Sequence, residues 1–282
     1  MYISRGSTLL SLIPLISAHG RITKITTPSG AVYSGWDPEL VSLNSTLPPL
    51  AAWSAANLGN IFVPPSAFNT SNITCHFDAV PGALHVNATA GSTLDLHWNE
   101  WPTSHKGPVL TYLAACNASC ADADKDALEW VKIDEQGRLN STSAIPGLNG
   151  TWASDVLISN KFTWTVKIPE DLRQGGYVLR HEIIALHVAE ELDGAQAYPQ
   201  CVNVWVGDGA TEGTGSRAAV ALVQRDGKTT IEGGVVGPKL YGETDKGILV
   251  NIHGDLPKYE IPGPKLWAGA SSIRQPNGKK MG

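Results

Sequence analysis

Polar and apolar residues alternate singly through several stretches of the chain. Residues 93–98 (TLDLHW) change character at every step, and residues 162–168 (FTWTVKI) and 202–206 (VNVWV) repeat the pattern. A two-residue period sends successive side chains to opposite faces of an extended strand. Pro169 stops the second run, and Gly175-Gly176 reads as a turn into a further strand from Tyr177 to Val188. Such runs, separated by Gly, Pro and Asn clusters, predict an all-β chain whose antiparallel strands pack as a sandwich. Long 3.6-residue patterns are absent, and only Asp124 to Trp130 reads as a turn or two of helix.

The first eighteen residues break this picture. Arg5 precedes an apolar run from Leu9 to Ile16, and Ser17-Ala18 offers small residues for cleavage. This is the plan of a secretory signal peptide, too short to span a bilayer, which takes about 20 apolar residues. The exported, extracellular chain then begins at His19. One large all-β domain is expected over residues 19–268, followed by a disordered tail over 269–282 without a cysteine-dense binding module. The net charge of −5 gives no basic footprint for nucleic acid or a membrane surface. A monomer is expected.

Four cysteines in an exported chain suggest two disulfides with three possible pairings. Cys116 and Cys120 could close a small loop, leaving Cys75 and Cys201 to clamp distant segments; no second pair at matching spacing supports a zinc site. Glycosylation sequons stand at Asn44, Asn69, Asn72, Asn87, Asn117, Asn140 and Asn149, all before residue 150. The glycines of residues 207–216 lack dinucleotide-binding spacing, and Asp122, Asp124 and Asp126 lack the glycine and glutamate of a calcium loop.

The chemistry centres on histidines. An amino-terminal His19 would carry two nitrogens, its α-amine and its imidazole, on one residue. The amine has an ordinary pKa of about 7.7–8.0, so a metal displaces its proton cheaply at neutral pH. A second imidazole would complete a nitrogen-only set suited to copper. His105 lies in a Pro/Gly-bounded loop among tryptophans. A third stretch, from Leu179 to Cys201, places His181 and His187 on one face of a regular strand, with Gln196 and Tyr198 alternating so that both point the same way. Histidine, amide and phenol could then orient oxygen beside a metal. The other histidines, His76, His85, His97 and His253, read as ordinary surface residues.

These segments in this order, His19-Gly20, WNEWPTSHKGPVLTYLAAC, WTVKIPEDLRQGGYVLRHEIIALH, GAQAYPQC and KYEIPGP, resemble the fungal lytic polysaccharide monooxygenases of auxiliary activity family 9 from His19 to about Trp267. The resemblance implies an immunoglobulin-like or fibronectin-like sandwich with long loops and a flat face. It implies one copper ion held by His19 and His105 with Tyr198 axial, His187 and Gln196 as outer hydrogen-bonding partners, and disulfides Cys75–Cys201 and Cys116–Cys120. The implied reaction is oxidative cleavage of β-1,4-glucan, foremost cellulose, at C1 or C4, using an external electron donor and oxygen or hydrogen peroxide. Tyr259 matches the family's substrate-facing tyrosine, and Trp36 and Tyr33 are further candidates for an aromatic platform. The early loop, residues 41–53, lacks the tyrosine many relatives display there.

Two other readings fit the sequence less well. A hydrolase needs paired carboxylates, and Glu100, Glu182 and Asp193 form no recognisable pair. A non-catalytic copper- or carbohydrate-binding protein on the same fold fits less well with His105, His187, Gln196 and Tyr198 all present.

Overall fold

The computed structural model describes residues 20–43, 46–116, 119–140, 150–207 and 231–276. In chain order the strands are β1 (Ile22–Thr26), β2 (Val32–Ser34), β3 (Val86–Ala88), β4 (Thr93–Trp98), β5 (Val109–Ala115), β6 (Glu129–Gln136), β7 (Arg138–Asn140), β8 (Thr151–Trp152), β9 (Thr163–Lys167), β10 (Gly175–Ala185), β11 (Gln196–Ala197), β12 (Gln200–Val206) and β13 (Val235–Val236). Short helices α1 (Pro38–Ser42), α2 (Asn72–Cys75) and α3 (Ala153–Ser159) lie in the connections.

Two sheets carry the sandwich. One runs β2-β1-β4-β9 and the other β13-β6-β5-β10-β12-β3, with β11 pairing the end of β10. The pairings are antiparallel except β12 with β3. The alternation read in the sequence is the burial pattern observed: in β4, Leu94, Leu96 and Trp98 are buried while Thr93, Asp95 and His97 are not. Between the sheets these residues meet Trp164 and Val166 of β9, Val109 and Leu113 of β5, and Leu179 and Ile183 of β10. A second core covers the outer face of the larger sheet, where loops bring Trp53, Phe68, Trp152 and Tyr241 onto Leu110, Tyr112, Val178 and Ile184. With both faces covered, β10 is buried along nearly its whole length.

Several expectations are corrected. Asp124 to Trp130 is not helical: residues 125–127 form a turn, and Trp130 is a fully buried residue of β6, paired with Val235. Its indole is wanted in the second core, and packing overrides a weak local preference. Gly175 and Gly176 do not form a turn but open β10, opposite Val206 and Trp205. That strand stops at Ala185 rather than Val188, because Leu186 N–H leaves the ladder to donate to Lys106 O (2.8 Å). The tail expected from residue 269 is packed as far as residue 276: Gln275 is 3 % exposed, accepting from Thr165 N–H (3.0 Å) and donating to Thr165 O (2.7 Å). Disulfides join Cys75 to Cys201 and Cys116 to Cys120.

His76 is likewise not a surface residue. It is 1 % exposed, with Nε2 against Ile61 O (2.9 Å) and Nδ1 accepting from Phe77 N–H (2.9 Å). A carbonyl only accepts, so the ring is neutral with its proton on Nε2. Burial lowers its pKa to about 4, and burial with the Arg180 charge lowers that of His181 to about 3. Burial raises the Asp134 carboxyl to about 6. Between pH 6.5 and 4 the unfolded chain therefore takes up two histidine protons that the fold refuses, against one that Asp134 holds only when folded. Stability is expected to fall over that window by about 2–3 kcal/mol. Melting temperatures between pH 7 and 4 check this, with a smaller fall in His76→Gln; a melting temperature that is flat or rises towards pH 4 would contradict it.

Candidate active site

The sequence candidates converge where β10 ends. His105 sits in the loop between β4 and β5, and this loop is fixed from three sides. The Trp101 indole N–H donates to His105 O (2.8 Å), and the His105 backbone N–H donates to Pro102 O (3.1 Å). Lys106 pairs with Asp155 of α3, while Gly107 exchanges hydrogen bonds with Ser154 through N–H to Oγ (3.1 Å) and O from N–H (3.2 Å). A Cβ on Gly107 would lie 1.8 Å from Ile184 O, so only glycine lets the loop press this closely on β10.

The other side of the site is the turn that follows β10. His187 is half-buried there, and its ring stacks on that of His105 with centroids 3.8 Å apart and planes at 30°. A shared strand face is therefore not what aims His187; the Leu186–Lys106 hydrogen bond and the turn do so. Strand β11 then returns beside β10, pairing Gln196 with Ala185. The next residue but one, Tyr198, is 2 % exposed and donates from its hydroxyl to Gln196 Oε1 (2.8 Å). Burial pushes this phenol well above its ordinary pKa, so it stays protonated and acts as a donor. Tyr198 and His105 both meet the Trp101 indole edge-on, at 5.1 and 6.0 Å between centroids. Ser104 Oγ lies 3.0 Å from His105 Nδ1.

His19 lies outside the described residues. Its neighbour Gly20 is buried and so close to the segment before Trp101 that a Cβ would meet Glu100 O at 1.9 Å. Arg21 N–H donates to Asn99 Oδ1 (2.8 Å), and its guanidinium pairs with Asp37 (2.8 Å) and Glu39 (3.3 Å) of the α1 region. Ile22 N–H donates to Gln200 Oε1 (2.6 Å). These anchors, and the Lys106–Asp155 clamp, carried no signal in the sequence, because each joins residues far apart in the chain.

Among the described residues no three His, Cys, Asp or Glu side chains converge as a metal set. The donors gathered here, imidazole nitrogen beside a phenol, are of the kind that suits copper rather than calcium or magnesium. They fit the implied ion provided that further nitrogen donors come from the chain before Gly20.

The aromatic candidates fare differently. Tyr259 is 9 % exposed, packed on Trp152 (4.8 Å) with its hydroxyl donating to Gly247 O (2.9 Å), so it belongs to the second core and offers no open ring face. Tyr33 pairs with Ile25, and its hydroxyl accepts from Asn87 N–H (3.2 Å). Asn87 lies opposite Trp205, and Trp205 opposite Gly176, so Tyr33 is at the far end of β10 from His187. Trp36 is half-buried, donating to Ala55 O (2.8 Å) and Asn57 Oδ1 (3.1 Å). The exposed apolar side chains on and just after α1, the helix whose start pairs with Arg21, are aliphatic: Leu40, Val41 and Leu43. Of the sequons, Asn69 and Asn140 are exposed, although the Asn140 amide is engaged with Thr151; Asn72 and Asn87 are half-buried, and Asn44, Asn117 and Asn149 lie outside the described residues.

The family model for Auxiliary Activity family 9 (formerly GH61) matches residues 19–259. The chain is 42% identical, over 96% of its length and 93% of the relative's, to AA9 family lytic polysaccharide monooxygenase I of Botryotinia fuckeliana. It is 44% identical to AA9 family lytic polysaccharide monooxygenase A of Talaromyces verruculosus, over 94% and 74% of the two chains. Among solved structures it resembles the extended catalytic domain of H. jecorina LPMO9A, with TM-score 0.79 and 41% identity over 91% and 94% of the chains. A cellulose-active polysaccharide monooxygenase from M. thermophila superposes with TM-score 0.68 at 26% identity, over 89% and 100%.

Proposed function

The chain belongs to auxiliary activity family 9, the lytic polysaccharide monooxygenases, and from that premise we propose that it is a secreted copper enzyme that cleaves β-1,4-glucan, foremost cellulose, by oxidation at C1 or C4. An oxidoreductase acting on polysaccharide is what the family establishes; the metal, the glucan and the site residues are our reading. The observation that carries it is the stack of His187 on His105 at 3.8 Å, with the Tyr198–Gln196 hydrogen bond at the same end of the sandwich.

In this reading His19, freed at its amine by removal of residues 1–18, and His105 hold the ion, with the Tyr198 phenol beside them. Copper held there would supply the redox chemistry for hydroxylating a glucosyl C–H bond, with electrons from an external donor and oxygen or hydrogen peroxide as oxidant. The chain's own part is to bind, orient and keep water out. Trp101 walls the site, Tyr198 keeps its proton, and Gln196 fixes the direction of that hydroxyl. His187, stacked on His105 and half-buried, would hold or pass a proton at this site. Gly20 and Arg21, held against Glu100 and Asn99, support the reading by fastening the chain next to residue 19 to the loop that bears His105. Substrate contact falls to the surface around this site, where Leu40, Val41 and Leu43 offer apolar area to sugar C–H faces. Among the described residues no helix is long and apolar enough to cross a membrane. Catalysis by a monomer over residues 19–268, with 269–276 packed against it, completes the proposal.

Mass spectrometry of the secreted protein and of its products from cellulose with copper and ascorbate tests this. Oxidised oligosaccharides and an N-terminal His19 are expected; hydrolytic products alone, or binding without new chain ends, would defeat it. Gln196→Leu is expected to slow turnover about tenfold with copper still bound, because a buried Tyr198 hydroxyl loses its acceptor, a cost of about 1–3 kcal/mol. Loss of copper in that variant would show that Gln196 had been placed wrongly.

A further inference from the structure

The turn that bears His187 is held by the C-terminal loop as well as by Lys106. Asn251 Oδ1 accepts from the N–H groups of both His253 (2.8 Å) and Gly254 (3.1 Å), a turn that sets the direction of the His253 side chain. His253 Nε2 then lies 2.9 Å from His187 O. A carbonyl oxygen only accepts, so the proton is on Nε2 and His253 is the donor. The Glu190 carboxylate is 3.9 Å from the same nitrogen. Two residues along, Val250 N–H donates to Ala189 O (2.7 Å), and inside the turn Ala189 N–H donates to Leu186 O (3.1 Å). The carbonyls on either side of Val188 are thus both taken by the 250–253 loop.

We infer that His253 is a positioning residue: its ring fixes the His187 peptide plane and, through it, the stack of the His187 ring on His105. This deepens the proposed function and rests on the reading that His187 takes part in turnover. His253 reaches the site through the His187 main chain, with the Glu190 carboxylate beside the same ring nitrogen. A peptide free to rotate by a few tens of degrees would carry the His187 ring off a contact that is already at van der Waals distance. The sequence could not single out His253, because the partner it serves is 66 residues away.

The test compares wild type, His253→Ala, His253→Gln and His187→Ala, each with its mature N-terminus. Turnover on cellulose is read on the copper-loaded protein, copper affinity by calorimetry, and the histidine ring resonances by nitrogen-edited NMR without metal. His253→Ala is expected to lower turnover about tenfold, as loss of an outer partner commonly does. Copper affinity and cellulose binding should stay within twofold, and the His187 and His105 ring resonances should shift. His253→Gln, whose amide can still donate to the carbonyl, should restore most of the turnover and the resonances. Unchanged ring resonances in His253→Ala, or a glutamine variant no better than alanine, would overturn the positioning role. Full turnover in His187→Ala would instead overturn the part given to His187, and the resonances would still judge the positioning separately. His253 is 35 % exposed, so its truncation leaves the cores intact.

Discussion

Replacing His105 by alanine is expected to abolish tight copper binding while leaving the sandwich folded. The imidazole hangs from a loop whose shape is set by other groups: the Trp101 indole on the His105 carbonyl, the Lys106–Asp155 pair and the close seat of Gly107 under Ile184. None of these depends on the ring. Truncation therefore removes a donor rather than the scaffold that presents it, and the affinity lost should exceed the roughly 10- to 100-fold typical of an outer partner. His19→Ala should do the same, and so should a residue left before His19, which turns the amine into an amide. Calorimetry with copper(II), with circular dichroism as the control for folding, reads all three. Unchanged affinity in both alanine variants would refute the metal site.

The second large effect lies away from the site. Arg180→Leu is expected to cost about 3–5 kcal/mol, the range for breaking a buried ion pair from one side. Arg180 and Glu182 are both fully buried on the outer face of β10. The guanidinium forks onto Glu182, with Nη2 2.8 Å from Oε2, and donates to Ile73 O and Thr74 O (2.7 Å each) beside α2. Tyr241 donates to Glu182 as well, and Tyr112 is hydrogen-bonded to Tyr241 (2.7 Å). Without Arg180 the sealed carboxylate loses its paired charge and keeps only the field of Lys132, which is itself paired with Glu135, and two carbonyls lose their donor. A fall in melting temperature of roughly 10 °C should follow. The double variant Arg180→Met, Glu182→Leu should recover part of it, because the stranded charge is gone. Equal losses in the single and double variants would show that charge is not the cause.

Local periodicity made the sandwich legible. β4 and β9 each have one face turned to a core, and their side chains announce it residue by residue. β10 was readable as a strand but not in its limits, because a strand covered on both faces loses its alternation and its end is decided by a hydrogen bond to Lys106. His105, His187, Gln196 and Tyr198 stand out in the sequence by residue type and stretch, and the family resemblance gives them roles; spacing alone does not give the placement of His187, which is aimed by a turn rather than by a strand face. Tyr259 is expected to face substrate only because it matches the family's tyrosine, and the resemblance does not show that Trp152, more than a hundred residues earlier, covers it. In the sequence Glu182 has no recognisable partner acid and so reads as non-catalytic. Its actual partner is a base two residues away on the same face of its strand.

The contact of Gln275 with Thr165 bears on how the molecule is handled. One side-chain amide supplies both the acceptor and the donor that a neighbouring strand would have offered to the open side of β9. A recombinant chain cut at residue 268 would keep every candidate catalytic group yet bare that rim, a template for sticking to a second molecule. Its shelf life in solution, rather than its chemistry, should betray the missing amide.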